Sequence, residues 1–244
     1  MSLRELLSRE GRAGRALRNH IKAATNKDAQ HEDRFRALEK LHEDGSEAAI
    51  YALLSRFGFV YDKTISDEAE KEYVFEVLCN LPPERALPPL RRYLQRAESI
   101  AWPLRILDRV VELDQRVEVL GELCEQNPPD YVRDPSKKVQ LVHHCGDEKD
   151  PRVAMLLAPY LADIDEGVRF AAAEALLRLA HEPTREALVA ALVRPEEESL
   201  RLRRRISEGL AQLRWDLGAQ AEAAAAVLPD EVKAEGGRLV RKGG

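Results

Sequence analysis

Helix-length apolar stripes recur along most of this chain, and their recurrence restricts the fold more than any other feature. From His31 onward, segments of about a dozen residues carry apolar side chains three or four positions apart, the spacing of one helical face. His31–Glu43 carries Phe35, Leu38 and Leu41; Glu47–Phe57 carries Ile50, Leu53 and Leu54. A segment opening near Ser66 carries Tyr73, Val74, Val77, Leu78 and Leu81, and Arg85–Arg96 carries Leu87, Leu90 and Leu94. Ile100–Leu113, Asp114–Gln126, Lys137–Cys145, Arg152–Ala162, Val168–His181, Arg185–Leu192 and Leu200–Trp215 continue the series. Breakers separate them: Asp44-Gly45, Pro82-Pro83 and Asn127-Pro-Pro-Asp130. Ser46 and Ser99 stand where N-caps belong, and Pro88-Pro89 marks a first turn or a kink. A short pair of such helices cannot bury its stripe alone, so neighbours must stack and share a continuous core. With pairs returning roughly every 30–40 residues, the expected fold is all-α, a right-handed α-solenoid of about six antiparallel helix pairs. A simple bundle would not require the period.

The residue supply agrees. Aromatics make up only 5% of the chain while Ala, Leu, Arg and Glu abound, which favours helix over a sheet built from aromatic and β-branched residues.

The stretch from Leu157 to Leu179 carries the pattern most clearly. Pro159 sits in a first helix, Asp165 precedes the Val168-Arg169 pair in a tight acidic turn, and Ala172, Ala175 and Leu176 follow on a second helix. This resembles a HEAT repeat of the short bacterial kind, similar to those in phycobilin lyases. The resemblance implies that the small residues face the partner helix. It also implies that an Asp of the turn, Asp165 here, pairs with the basic residue at Arg169. A basic residue recurs at that place in each second helix: Arg36, Lys71, Arg105, Lys137, Arg169 and Arg203, with steps of 35, 34, 32, 32 and 34 residues. The row reads either as an inter-repeat ladder or as a basic stripe facing a ligand.

The segmentation follows. Residues 1–28 form a basic capping helix or arm, residues 29–217 the HEAT-like array, residues 218–228 an Ala-rich capping helix, and residues 229–244 a flexible Gly/Lys/Arg tail. The tail ends in Gly243-Gly244, similar to ubiquitin-type tails, but no β-grasp sequence precedes it. Two stretches concentrate positive charge: the first segment, with Arg12, Arg15, Arg18 and Lys22, and the run Arg201, Arg203, Arg204 and Arg205, which Glu196, Glu197 and Glu198 directly precede. The formal net charge of -5 opposes a chain-wide attraction to polyanions. Tyr73 and Trp102 lie early in helices expected to line the inner surface, where an exposed aromatic anchors a partner.

Little points to catalysis. No Gly-rich phosphate loop or nucleophile elbow occurs. His143 and His144 are adjacent, so a helix turns them about 100° apart. His144 with Asp147 or Glu148 supplies two ligands at most, short of a metal site. Cys79, Cys124 and Cys145 are odd in number and far apart, which reads as reduced thiols. No metal or cofactor is expected. No apolar run approaches the roughly 20 residues of a membrane span, and no signal peptide opens the chain, so the expected setting is the cytoplasm. The resulting expectation is a non-enzymatic scaffold that binds a protein partner along a concave surface. Tyr73, Trp102, Arg105, Lys137, Arg169 and Arg203 are its contact candidates. The alternative is a nucleic-acid binder, similar to HEAT-like DNA glycosylases, that uses Arg12, Arg15, Arg18, Lys22, Arg201, Arg204 and Arg205.

Overall fold

Apolar stripes three and four apart become helices, and the helices gather into two units, Met1–Arg116 and Val117–Gly244. The computed structural model describes residues 3–61 and 64–242, with side chains from residue 13 onward. The division falls inside a helix rather than at an edge of the expected 29–217 array.

The first unit contains α1 (Leu3–Ala24), α2 (His31–Asp44), α3 (Glu47–Leu54), α4 (Thr64–Cys79), α5 (Pro83–Arg96) and α6 (Ala101–Val110). A 3-10 turn at Ser55–Gly58 extends α3. Helices meet their neighbours in sequence, α1 with α2, α2 with α3 and α5 with α6. They also meet the next but one: α2 packs on α4, α4 on α6, and α3 on α5. Leu38, Leu41, Leu53, Leu54, Val74, Leu78, Leu90, Leu94, Leu104 and Leu107 are buried between them. Ser46 caps α3 as its position predicts, its hydroxyl accepting the Ala49 N–H, and Gly45 at φ +59° closes α2.

Two local expectations change. Ile100, not Ser99, stands at the N-cap of α6, because its side chain is fully buried and that burial outweighs the lost cap bond. Helix α5 begins at Pro83, so Pro88 and Pro89 fall beyond its first turn, and Ala86, Pro89, Leu90, Tyr93 and Leu94 form its buried face.

The second unit holds the buried part of α7 (Leu113–Gln126), then α8 (Ser136–Cys145), α9 (Pro151–Leu157), α10 (Glu166–Leu179), α11 (Arg185–Val193), α12 (Leu200–Leu213) and the short α13 (Ala221–Ala225). The alternation is the same: α8, α10 and α12 pack side by side, while α9 and α11 lie against α10 and α12 respectively. Side chains of Asp165 and Ser199 cap α10 and α12 by accepting the N–H groups of Val168 and Leu202. Small residues let the helices close up. A Cβ on Gly146, at the end of α8, would stand 2.7 Å from the Ala175 Cβ of α10. Gly146→Ala therefore forces α8 and α10 apart and is expected to cost about 1–3 kcal/mol. Urea unfolding followed by Trp215 fluorescence checks this, and an unchanged midpoint would remove the close approach as a constraint.

The last segment departs from expectation. In place of a flexible tail, β1 (Val232–Glu235) and β2 (Arg238–Arg241) pair antiparallel, with Glu235 opposite Arg238. The two-residue turn between them is Gly236-Gly237, both at positive φ (+58° and +76°), the backbone a primed hairpin turn demands. Val232 and Leu239 are buried, and β2 packs on α12. The Leu217 N–H donates to the Gly237 carbonyl at 2.8 Å, tying the turn to the chain before it. The expected Ala-rich helix over 218–228 shortens to a 3-10 turn at Gly218–Gln220 followed by α13. Gly243 and Gly244 lie outside the described residues.

Candidate interaction surfaces

In the first unit, charged side chains that a helical pattern would place outside are sunk in the core. Arg34 of α2 and Arg56, just after α3, are both fully buried, and both converge on Glu70 of α4. Nε of Arg34 donates to Glu70 Oε2 at 2.7 Å, Nε of Arg56 donates to the same oxygen, and His31 Nδ1 lies 2.7 Å from Oε1. Arg56 also reaches Asp67 Oδ1, and Lys71 Nζ donates to Asp67 Oδ2 at 2.6 Å. Tyr61 and Phe59 cover the guanidiniums, with the Arg34 Cζ 4.0 Å from the Tyr61 ring centre and the Arg56 Cζ 4.5 Å from that of Phe59. Burial pushes the Glu70 and Asp67 carboxyls up, but hydrogen bonds outweigh it: from Arg34, His31 and Arg56 at Glu70, from Lys71 and Arg56 at Asp67. Both are held below the ordinary carboxylate range. This network ties α2, α3 and α4 together, and its donors go to its own carboxylates and carbonyls except for Arg34 Nη2, which is buried without a hydrogen-bond partner.

The aromatic candidates serve the same unit. Trp102 of α6 is half-buried, stacked on Phe57 at 5.6 Å with planes 13° apart and edge-on to Phe75. The exposed Arg105 lays its guanidinium 4.4 Å from the Trp102 ring centre. Tyr73 packs its ring 5.0 Å from Phe35, and its hydroxyl lies 3.1 Å from His42 Nδ1. Burial, with Glu39 and Glu43 nearby, raises the Tyr73 pKa. Of the expected basic row, Lys71 is buried against Asp67 and Arg36 pairs with Asp33 at 3.4 Å. Arg15, Arg18 and Lys22 of α1 are exposed. The side chain of Arg12 lies outside the described residues.

In the second unit, cations on one helix reach carboxylates in the turn before the next helix of the same row. Lys138 of α8 is buried, with Nζ donating to Asp163 Oδ2 and to the Asp130 carbonyl at 2.7 Å. Arg169 of α10 grips Glu197 through both carboxylate oxygens, at 2.7 and 3.0 Å, and donates to the carbonyls of Asp163 and Ile164. Burial raises the Glu197 pKa, but the Arg169 side chain and the Ser199 N–H bring it below the ordinary range.

Two sequence expectations shift here. Asp165 spends its carboxylate on capping α10, so the partner of Arg169 is Glu197, 28 residues on. The buried cation of α8 is Lys138 rather than Lys137, which is half-exposed.

The arginine run of α12 is largely paired within the unit. Arg201 meets Glu166 at 2.8 Å and lies 4.0 Å from the Phe170 ring centre. Arg204 meets Glu208 and Glu231, each at 3.1 Å, and Arg205 meets Glu174 at 3.2 Å. Arg203 donates to the Arg194 carbonyl. Of the acidic run before α12, Glu197 pairs with Arg169, and the arginine run itself is met chiefly from α10.

The same pairs place the N-terminal ends of three helices side by side. Lys138 in the first turn of α8 meets Asp163 just before α10, and the Ser199 hydroxyl before α12 donates to Glu166 at 2.7 Å. Along that edge the exposed large apolar side chains are Tyr131 and Val132 before α8, Ile164 before α10 and Leu200 opening α12. Tyr131, Ile164 and Leu200 are 74%, 60% and 78% exposed. Periodicity cannot flag residues that lie in turns, and a run such as Ile164 between two aspartates is their only trace in the sequence. Comparison with known proteins adds no assignment: no protein-family model and no curated protein matches the chain. Among the described residues, no helix is long and apolar enough to cross a membrane.

Proposed function

We propose that the chain is a non-enzymatic scaffold of HEAT-like helix pairs, a right-handed α-solenoid, that binds a protein partner. The exposed apolar edge at the N-terminal ends of α8, α10 and α12 carries this reading. Tyr131, Val132, Ile164 and Leu200 are exposed in the segments that lead into α8, α10 and α12, apolar groups offered to a partner among polar neighbours. The alternating contacts α2–α4–α6 and α8–α10–α12 support the repeat architecture. Arg169 belongs to this edge as its brace, and the half-exposed Lys137 as a rim group. Trp102, Arg105 and Tyr73 support their own unit.

A nucleic-acid reading has one observation in its favour. Arg15, Arg18 and Lys22 are exposed on α1, and a groove of about 580 Å³ between α1 and α2 is lined by His20, Lys22, Arg36 and Lys40 among others. The internal pairing of Arg201, Arg204 and Arg205 counts against it.

Affinity capture with the full chain, with nuclease and over a salt series, separates the two. The scaffold reading expects a protein partner that survives nuclease and moderate salt. It expects that partner to be lost from an Ile164→Ser/Leu200→Ser variant whose unfolding midpoint is unchanged. Loss of all partners to nuclease, with a steep salt dependence on DNA or RNA, would overturn it in favour of the α1 cations.

A further inference from the structure

The last turn of α5 carries a tyrosine whose hydroxyl the fold leaves unused. Tyr93 is only 5% exposed, and its ring meets that of Tyr51 in α3 edge-on at 5.8 Å. Buried tyrosine hydroxyls ordinarily find a hydrogen-bond partner, yet among the described residues this one has none. The hydroxyl lies toward Gly58, where a Cβ would stand 3.4 Å from the oxygen. Tyr93 and Gly58 are two walls of a pocket of about 310 Å³ that Tyr51, Arg96, Glu98 and Ser99 help to line.

Two further donors of this pocket are also uncommitted. Ser99 yields the N-cap of α6 to Ile100, and among the described residues its hydroxyl makes no hydrogen bond. Arg96, the last residue of α5, has no carboxylate or carbonyl partner among them, whereas Arg92 one turn earlier pairs with Glu47 at 2.7 Å. A guanidinium and two hydroxyls form a donor set that suits an anion. Glu98 offsets the charge of Arg96, so the lining favours one negative charge over the two of a phosphate. At about 30 Å³ for a water-sized group, the pocket holds roughly ten non-hydrogen atoms.

We propose that this pocket binds a small organic monocarboxylate, its carboxylate received by the Arg96 guanidinium and the Tyr93 hydroxyl and its body against the Tyr51 ring. Burial, with Tyr51 nearby, pushes the Tyr93 pKa up to about 12, so the hydroxyl stays a donor at neutral pH. Gly58 keeps the approach to that hydroxyl open. The site lies wholly within the first unit and does not depend on what the apolar edge of the second unit binds.

The isotope-labelled full chain is titrated with benzoate, and separately with inorganic phosphate, at matched ionic strength, and the backbone amide shifts are followed by NMR. Benzoate is expected to give saturable shifts over residues 55–58 and 93–99, with a dissociation constant on the order of 1 mM. Phosphate is expected to bind at least about tenfold more weakly. Tyr93→Phe and Arg96→Gln are each expected to weaken benzoate binding by roughly tenfold. Gly58→Ala is expected to weaken it by crowding the hydroxyl. The urea midpoint of Tyr93→Phe is expected to match the wild type, because the lost hydroxyl bonds nothing in the fold. Benzoate shifts that do not saturate, that spread over the whole surface, or that phosphate reproduces at equal concentration would overturn the proposal. So would a Tyr93→Phe chain that binds benzoate as tightly as the wild type. The wild-type and Tyr93→Phe titrations decide this even if Gly58→Ala fails to fold.

Discussion

Glu70→Gln lowers the stability of the first unit by about 3–5 kcal/mol. The substitution keeps the size of the side chain and removes one charge. Arg34 and Arg56 both donate to Glu70 Oε2, and neither guanidinium has access to solvent. Arg34 then loses its carboxylate partner, and Arg56 keeps only Asp67, which also accepts from Lys71. A buried cation without its anion keeps the full desolvation penalty, and an amide oxygen returns only part of the lost attraction. Trp102 lies in this unit and Trp215 in the other, so urea unfolding of Trp215→Phe followed by fluorescence reports the first unit alone. A midpoint that moves by less than about 0.5 kcal/mol equivalent would mean that the network contributes position and not stability.

The same carboxylates set an acid limit. Glu70 and Asp67 have folded pKa values below their unfolded ones, which lie near about 4. Their contribution is therefore complete above that range and is lost as pH falls through the lower folded values. The urea midpoint of the first unit is expected to hold from neutrality to about pH 5 and to drop below about pH 4. In Glu70→Gln that drop becomes shallower, because one of the two titrating groups is gone.

How much of this was legible in the sequence differs by element. The helices were, because their stripes repeat every three or four residues and because Ser46 sits where a cap belongs, although Ser99, read the same way, yields that place to Ile100. The buried arginines were not: Arg34 stands beside Phe35, and nothing local distinguishes a charge that faces solvent from one that meets Glu70, 36 residues away. The hairpin left a clear signal, two glycines between short segments holding Val232 and Leu239. A polar C-terminal segment reads as tail until α12 supplies the surface that buries those two side chains. The apolar edge was least legible, since Ile164 and Leu200 stand at the openings of two helices, α10 and α12, whose packing on each other the sequence does not state.

A one-residue register separates the expected ladder cation from the observed one, and it leads to the second large effect. On a helix, adjacent side chains point about 100° apart, so choosing Lys137 over Lys138 exchanges a half-exposed group for a buried one. Lys138→Ala is expected to cost about 3–5 kcal/mol. Asp163, with its side chain fully buried, would keep the Asp165 N–H at 2.8 Å but lose its cation, and the Asp130 carbonyl would lose its donor. Lys137→Ala, changing a half-exposed side chain, is expected to stay within about 1 kcal/mol. The pair also makes a sharper statement than either loss. Removing both charges with Lys138→Met/Asp163→Leu leaves no orphaned ion, so the double variant is expected to recover much of what Lys138→Ala loses. Trp215 fluorescence in a Trp102→Phe background reads all three midpoints for the second unit. If the double variant is no more stable than the single one, the stabilisation lies in the packing of the lysine stem and not in the ion pair. The connection between α8 and α10 would then rest on Gly146 and Ala175 instead of charge.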